Sequence, residues 1–387
     1  MHYEKSIELL LKCSTEKGFV ASAQDISNYK RVWARDGVIC GLSALASGHR
    51  ELIKTFKNTL LTLAKHQHEI GTIPSNVGVS KKDESVSYGG LAGRVDAATW
   101  FVIGVCQYAN YTNDFAFFND LKPKIYKVLQ LLNAWEFNNK HLMYIPLSGN
   151  WADEYITDGY VLYDQLLRYW AIQSFNYLEN DQSLSSKLIQ IKNQIKANFF
   201  PNSNKEKFHD RAYNAIKIDS FLPCSFSPSG YKTNYDAFAN ALLLILDFGD
   251  KKFKNKLIDY SLELAESTKL GLLPAFWPVI KPNDQHWDLL KDNCKYEFRN
   301  YPYEFHNGGS WAMVNGFFGL GLLKQGKTEQ AKKILKNIDK VNQVEDYKFY
   351  ENFNTKTTEP NGVPYCAWSA AASVLLTQSI KQQIKFI

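Results

Sequence analysis

The spacing of apolar residues divides this chain into twelve helical stretches, joined by connections that are alternately long and short. The stretches run roughly over residues 4–17, 36–48, 50–68, 94–112, 117–137, 159–179, 182–200, 235–249, 252–268, 309–325, 327–341 and 365–386. Connections from odd to even stretches take about 18–40 residues, and those from even to odd about 1–5. A short connection forces antiparallel neighbours, so all six long connections gather at one end of a set of helical hairpins. Long loops in a compact protein are usually functional. The chemistry is expected at that end.

The two kinds of stretch differ in composition. Odd ones are amphipathic: Leu184, Leu188, Ile191 and Ile195 recur at helical spacing with Lys and Gln between them. Even ones are apolar nearly all round, as in 37–46 (GVICGLSALA), 237–246 (AFANALLLIL) and 317–323 (FFGLGLL). A helix apolar on every side is buried. Small residues such as Gly41, Ala44, Gly316, Gly319, Gly321 and Ala370 to Ala372 let buried helices approach closely. Six buried helices inside six amphipathic ones make an all-α, (α/α)6 barrel. An open helical solenoid is the alternative, but it does not need its long loops on one side. No Pro/Gly/Ser-rich linker divides the 387 residues, so one barrel domain is expected over 1–387.

Composition narrows the function. The net charge of +6 comes mostly from Lys scattered over helix faces, such as Lys251, Lys252, Lys254 and Lys256, which reads as solvated surface and not as a nucleic-acid site. Six cysteines, Cys13, Cys40, Cys106, Cys224, Cys294 and Cys366, form no CxxC pair and sit mostly in apolar runs, as free thiols of a reducing, cytoplasmic compartment do. The N-terminal segment reads as neither a secretory signal nor a membrane span. There is no P-loop, GxGxxG, HExxH, GxSxG or Cys/His metal set, so no cofactor and no metal are expected. The sequence leaves open whether the chain forms a homo-oligomer.

The long loops end in aromatic and acidic residues. The first ends in Trp33, Ala34, Arg35 and Asp36, a pair that serves equally as a helix cap or as a clamp on sugar hydroxyls beside an indole. The second ends in Arg94, Val95 and Asp96, with Trp100 one turn later. The third ends in Asn150, Trp151, Ala152, Asp153, Glu154 and Tyr155. Aromatic enclosure of an acid favours its protonated form, which a general acid needs at neutral pH. Tyr160 and Gln165 follow, at the start of the sixth stretch, and join the substrate-binding candidates. The fourth loop ends in Asp236, where capping and ligand contact are equally open. The fifth carries His306, Asn307, Gly308, Gly309, Ser310 and Trp311. The sixth carries Glu351 among Tyr and Phe, then Tyr365 to Ser369 with Trp368. Six such clusters at matching places describe a carbohydrate pocket.

These motifs resemble those of the six-hairpin glycosidases, above all the alkaline/neutral invertase family and the α-1,6-glucosidase domain of glycogen-debranching enzymes. Arg35-Asp36 resembles their Arg-Asp before the second helix. RVDAATW (94–100) is similar to their V-D-x-x-L-W segment, NWADEY (150–155) to the W-x-D that bears their acid, and HNGGSW (306–311) to the invertase form. Glu351 with YCAWS (365–369) resembles their late Glu and aromatic-x-x-W-S segment. The resemblance implies inversion, with Asp153 protonating the glycosidic oxygen and Glu351 activating water. It implies that Arg35 and Asp36 hold the terminal sugar while Trp33, Trp100 and Trp311 line the pocket.

Glu154 and Tyr155 depart from the basic residues that follow the acid in invertases, Ala312 replaces a proline, and Tyr163 stands near where those families keep an acid. The substrate expected is a short α-linked glucoside, and whether Asp153 or Glu154 is the acid stays open. Two other readings use the same features: a sugar epimerase or unsaturated-uronide hydrolase, and a non-catalytic sugar-binding scaffold.

Overall fold

The structure is a computed structural model that describes residues 1–80, 84–294, 296–382, 384 and 386–387. Twelve helices carry the architecture: α1 (His2–Lys12), α2 (Ala34–Ser47), α3 (Arg50–Lys65), α4 (Asp96–Thr112), α5 (Phe115–Ala134), α6 (Leu162–Glu179), α7 (Gln182–Phe199), α8 (Ala237–Ile245), α9 (Lys251–Ser267), α10 (Ala312–Lys324), α11 (Thr328–Asn342) and α12 (Ala367–Gln382). The even helices form a closed ring. α2 packs on α4, α4 on α6, α6 on α8, α8 on α10, α10 on α12, and α12 returns to α2. This is the (α/α)6 barrel, and the closure excludes an open solenoid.

Burial follows the expected division. In α4 every residue from Asp96 to Ala109 is buried. In α3 the buried residues are Leu52, Thr55, Phe56, Thr59, Leu60, Leu63 and Ala64, a single stripe at helical spacing. The short turns are written in a compact local code. Asn113 and Asn180 take left-handed backbone (φ 57° and 52°) and end α4 and α6. The aspartate that follows each one then caps the next helix: Asp114 accepts from the Phe117 N–H, and Asp181 from those of Ser183 and Leu184. Asn tolerates the left-handed region and Asp satisfies the open N–H groups of the helix start, so two residues reverse the chain.

The long loops hold strands that helical periodicity did not foresee. Arg31–Trp33, Asn76–Gly78 and Val86–Ser87 make a three-stranded antiparallel sheet. Tyr160–Val161, Pro223–Ser227, Gly230–Asp236 and Phe276–Trp277 make a four-stranded one. Asn352–Phe353 pairs with Pro360–Asn361. Several inner helices therefore begin two or three residues later than the sequence suggests, because extended backbone leads directly into them. Val161 precedes α6 and Asp236 precedes α8, whereas α2 begins at Ala34, two residues earlier than expected, directly after the strand that ends at Trp33. Predicted helical positions 383 and 385 lie outside the described residues. No described helix is long and apolar enough to cross a membrane.

Candidate active site

A cavity of about 470 Å³ opens at the loop end of the barrel. Loops one, two, three, five and six line it, while the segment between α7 and α8 contributes no lining residue. Of the expected residues, Trp33, Arg35, Asp36, Trp151, Asp153, His306, Trp311, Glu351 and Trp368 all line this one space.

The inner end is built on the first turn of α2. Asp36 is buried there, and the Arg35 side chain is 12% exposed. Burial pushes the Asp36 carboxyl up to about 6, against the pull of the Arg35 guanidinium. Burial works against the Arg35 charge too, but Asp96 and Asp36 outweigh it and raise its pKa. Arg35 Nη1 donates to Asp96 Oδ2 at 2.8 Å, and its guanidinium lies 5.4 Å from the Trp368 ring centroid. Three rings form the adjoining wall. His306 stacks on Trp311 (5.2 Å, 5°) and meets Trp151 edge-on (5.2 Å, 83°). Burial drives the His306 pKa well below the ordinary histidine value, so the ring is neutral at pH 7. Its Nδ1 and the indole nitrogens of Trp151 and Trp368 are buried without a hydrogen-bond partner among the described residues. Buried polar groups left open in this way suit a polar ligand.

The carboxylates divide by environment. Glu351 is 4% exposed, and burial pushes it up to about 7. The Tyr29 hydroxyl donates to its Oε1 at 2.8 Å, while Oε2 has no hydrogen-bond partner among the described residues. Gly362, at φ +73°, packs against that second oxygen; a Cβ there would lie 2.4 Å from it. Asp153 is 31% exposed, and its Oδ2 pairs with Arg94. The expected aromatic enclosure is replaced by a guanidinium. Glu154 is gripped on both oxygens by Arg299, Nε to Oε2 at 3.2 Å and Nη2 to Oε1 at 2.8 Å. Burial raises the Glu154 pKa, offset in part by Arg299.

Other expected residues stand elsewhere. Trp100 is fully buried in the barrel core against Trp170, Phe238 and Phe317, and does not line the cavity. Its Nε1 donates to the Tyr163 hydroxyl (3.0 Å), which donates to Asp96 Oδ2 (3.2 Å). Asp96 and Trp100 therefore support Arg35 from behind. Tyr163, which stands near where the resembling families keep an acid, is a link in that chain. Asp236 caps α8 through the N–H groups of Phe238 and Ala239. Gln165 clamps the Met143 backbone on both sides (2.9 Å each), and Asn307 does the same for Ile280 (2.7 and 2.8 Å). Tyr160 packs between Tyr144, Phe208 and Phe226, away from the cavity.

Known proteins resemble this chain in sequence and in fold. The model of the family described as "alkaline and neutral invertase" matches residues 2–202, just over half of the chain. The chain belongs to the alkaline and neutral invertase family. It is 22% identical over 434 aligned residues to a probable chloroplastic alkaline/neutral invertase A of Arabidopsis thaliana, covering 95% of this chain and 68% of the relative. A mitochondrial neutral/alkaline invertase 1 of Oryza sativa subsp. japonica is 20% identical, covering 89% of this chain and 64% of its own length. Among solved structures, a GH63 mannosylglycerate hydrolase from Thermus thermophilus superposes with a TM-score of 0.72 at 13% identity, covering 97% of this chain and 100% of that one. A bacterial glucoamylase complexed with acarbose gives 0.64 at 16% identity, covering 100% and 56%. This member of the invertase family is a glycoside hydrolase on the six-hairpin fold.

Sequence reading missed several residues that this member brings to the cavity, among them Tyr29, Leu91, Asn293, Tyr296 and Arg299. They lie within the long connections, away from the ends of the twelve barrel helices. The signal available was aromatic and basic residues inside a long connection, as in 296–301 (YEFRNY).

Proposed function

We propose that this protein is an inverting, exo-acting glycosidase that cleaves short α-linked glucosides. The observation that carries the reading is the unlike pair of carboxylates in one cavity. Glu351 lies buried at the inner end with its pKa near 7, and Asp153 stands partly exposed toward the mouth. They come from loops six and three. In this reading Asp153 protonates the glycosidic oxygen and Glu351 takes a proton from the attacking water. Arg35, Asp36 and His306 bind the hydroxyls of the terminal sugar, and the indoles cover its apolar face. Between the adjacent acids, Asp153 is favoured because Arg299 engages both oxygens of Glu154, whereas a single Asp153 oxygen is held by Arg94. Residues 1–387 act as one catalytic unit in a reducing compartment such as the cytoplasm, in keeping with six free thiols, five of them buried.

Asp153→Asn and Glu351→Gln are each expected to lower kcat by at least about a thousand-fold while leaving the circular-dichroism spectrum unchanged. The assay is glucose release from sucrose, isomaltose, maltose, trehalose and panose, with the first-formed anomer followed by NMR. Near-normal turnover in either variant removes that residue from the mechanism. Initial retention of configuration refutes inversion. A histidine-pair epimerase is disfavoured because His306 is the sole histidine among the described lining residues.

A further inference from the structure

The cavity changes character from inside to outside. Its inner end is closed by buried Asp36, Trp151, His306, Trp311, Glu351 and Trp368. At its mouth Leu91 and Tyr296 also line it, yet are 88% and 86% exposed. Asp153 stands between the two zones. In an exo-acting enzyme the terminal sugar occupies the closed end, so whatever lies outward of the acid is the leaving group.

One stretch, residues 292–294 and 296–300, supplies most of that outer wall, and it is fastened to the loop that carries Asp153. Ser148 Oγ donates to Asn293 Oδ1 (2.9 Å), and Asn293 Nδ2 to the Tyr155 carbonyl (2.8 Å). Asn300 Nδ2 donates to the Glu154 carbonyl (2.7 Å). Arg299 adds its two-pronged contact to the Glu154 side chain and lies 4.1 Å from the Phe305 ring centroid, which fixes the guanidinium plane. These contacts bracket Asp153 in the sequence. The wall and the acid therefore move as one body.

We infer that Arg299, Glu154 and Tyr296 form the leaving-group subsite, and that it accepts a neutral, polyhydroxylated ring. The inference rests on the glycosidase reading above. The guanidinium has five N–H donors, only some of them spent on Glu154, and it remains 40% exposed. Together the pair offers sugar hydroxyls both donors and acceptors. The accessible Tyr296 ring offers a flat surface for the C–H face of a sugar. Charge decides against an anion. Arg94 and Arg299 are the described cations of this wall, each already paired, against Asp153, Glu154, Asp292 and Glu297. Lys295 lies outside the described residues, and its charge would still leave an acidic excess. A carboxylate or phosphate on the leaving group meets net repulsion there.

The test compares the intact enzyme with Tyr296→Ala and Arg299→Lys on two substrates. One is the disaccharide that the intact enzyme cleaves fastest among sucrose, isomaltose, maltose and trehalose. The other is α-D-glucosyl fluoride, whose leaving group is a single atom. Each variant is expected to lose about ten-fold or more in kcat/KM on the disaccharide and less than about three-fold on the fluoride. Tyr296 is exposed, so its variant keeps the fold and the test holds even if Arg299→Lys does not fold. A matched pair, glucosylglycerol and glucosylglycerate, reads the charge, and the neutral compound is expected to be cleaved at least about ten-fold faster at pH 7. Equal losses on both substrates, no loss on the disaccharide, or preference for glucosylglycerate overturns the inference while the glycosidase reading stands. An intact enzyme that releases glucose from none of these substrates overturns the glycosidase reading, and the subsite with it.

Discussion

Glu351 shows how one residue sets activity against stability. Burial raises its pKa from the ordinary 4.5 to about 7, so the folded protein holds this proton more tightly than the unfolded chain does. The stability it contributes is therefore fully present below the unfolded value and is lost as the pH rises through about 7. As the proposed base it would have to be ionised, so the enzyme would work where this residue has become a liability. Glu351→Gln mimics the neutral acid permanently. Its melting temperature by calorimetry is expected to exceed that of the intact enzyme at pH 8 and to converge with it toward pH 5; a lower value at pH 8 would mean the carboxylate is net structural. The Tyr29 hydrogen bond favours the ionised form. Tyr29→Phe should accordingly move the acid limb of the kcat/KM profile to higher pH, by up to about one unit. A pH–rate series on one substrate checks this, and an unmoved limb would show that Tyr29 merely packs.

Between elements, the fit of α2 against α3 depends on a missing side chain. A Cβ on Gly41 would lie 2.0 Å from the nearest Phe56 ring carbon, and Phe56 is fully buried. Gly41→Ala gains up to about 1 kcal/mol in helix propensity. It loses more, about 1–3 kcal/mol, by overpacking a ring that has nowhere to go. The expected result is net destabilisation in urea, partly restored by adding Phe56→Leu. This requirement was visible in advance as small residues inside an apolar helix, and so were all twelve helices, because burial on one face or on all faces leaves its own periodicity. The strands were not visible. Gly230–Asp236 is rich in polar residues, and its partners are set by tertiary placement, among them Phe276–Trp277 some forty positions away. Site residues divide in the same way. Arg35 and Asp36 sit at a helix entrance that the pattern marks, and Asp153 lies in the long loop that leads to α6. Tyr29 reaches Glu351 across 322 positions and Arg299 reaches Glu154 across 145, separations at which no local signal exists. Asp96, Trp100 and Asp236 show the converse, since residues at the right entrance can face backward into the core or cap a helix.

For the whole molecule, the cavity exists only when the ring is closed. α12 fills the gap between α10 and α2, with Ala372 against Gly316 and Leu376 against Gly319. At the loop end the Ala367 N–H donates to the Ala21 carbonyl (2.8 Å) and Ser22 Oγ to the Pro364 carbonyl (2.9 Å), so the first and last long loops lie side by side. The family model ends at residue 202, but the proposed base, the wall holding Arg299, and Trp368 all lie beyond it. A fragment of residues 1–202 would carry the proposed acid and the Arg35–Asp36 pair. It would also carry α6 with the face that meets α8 bare, and α2 with the face that meets α12 bare. Two large apolar helix faces in water favour aggregation or a loosely packed state over a native fold. The fragment is expected to bind a hydrophobic dye, to lack a sharp near-ultraviolet circular-dichroism signal, and to melt without a cooperative transition, whereas the 387-residue chain should melt cooperatively. Cooperative melting of the fragment would show that the two parts of the ring fold separately and that closure serves the active site alone.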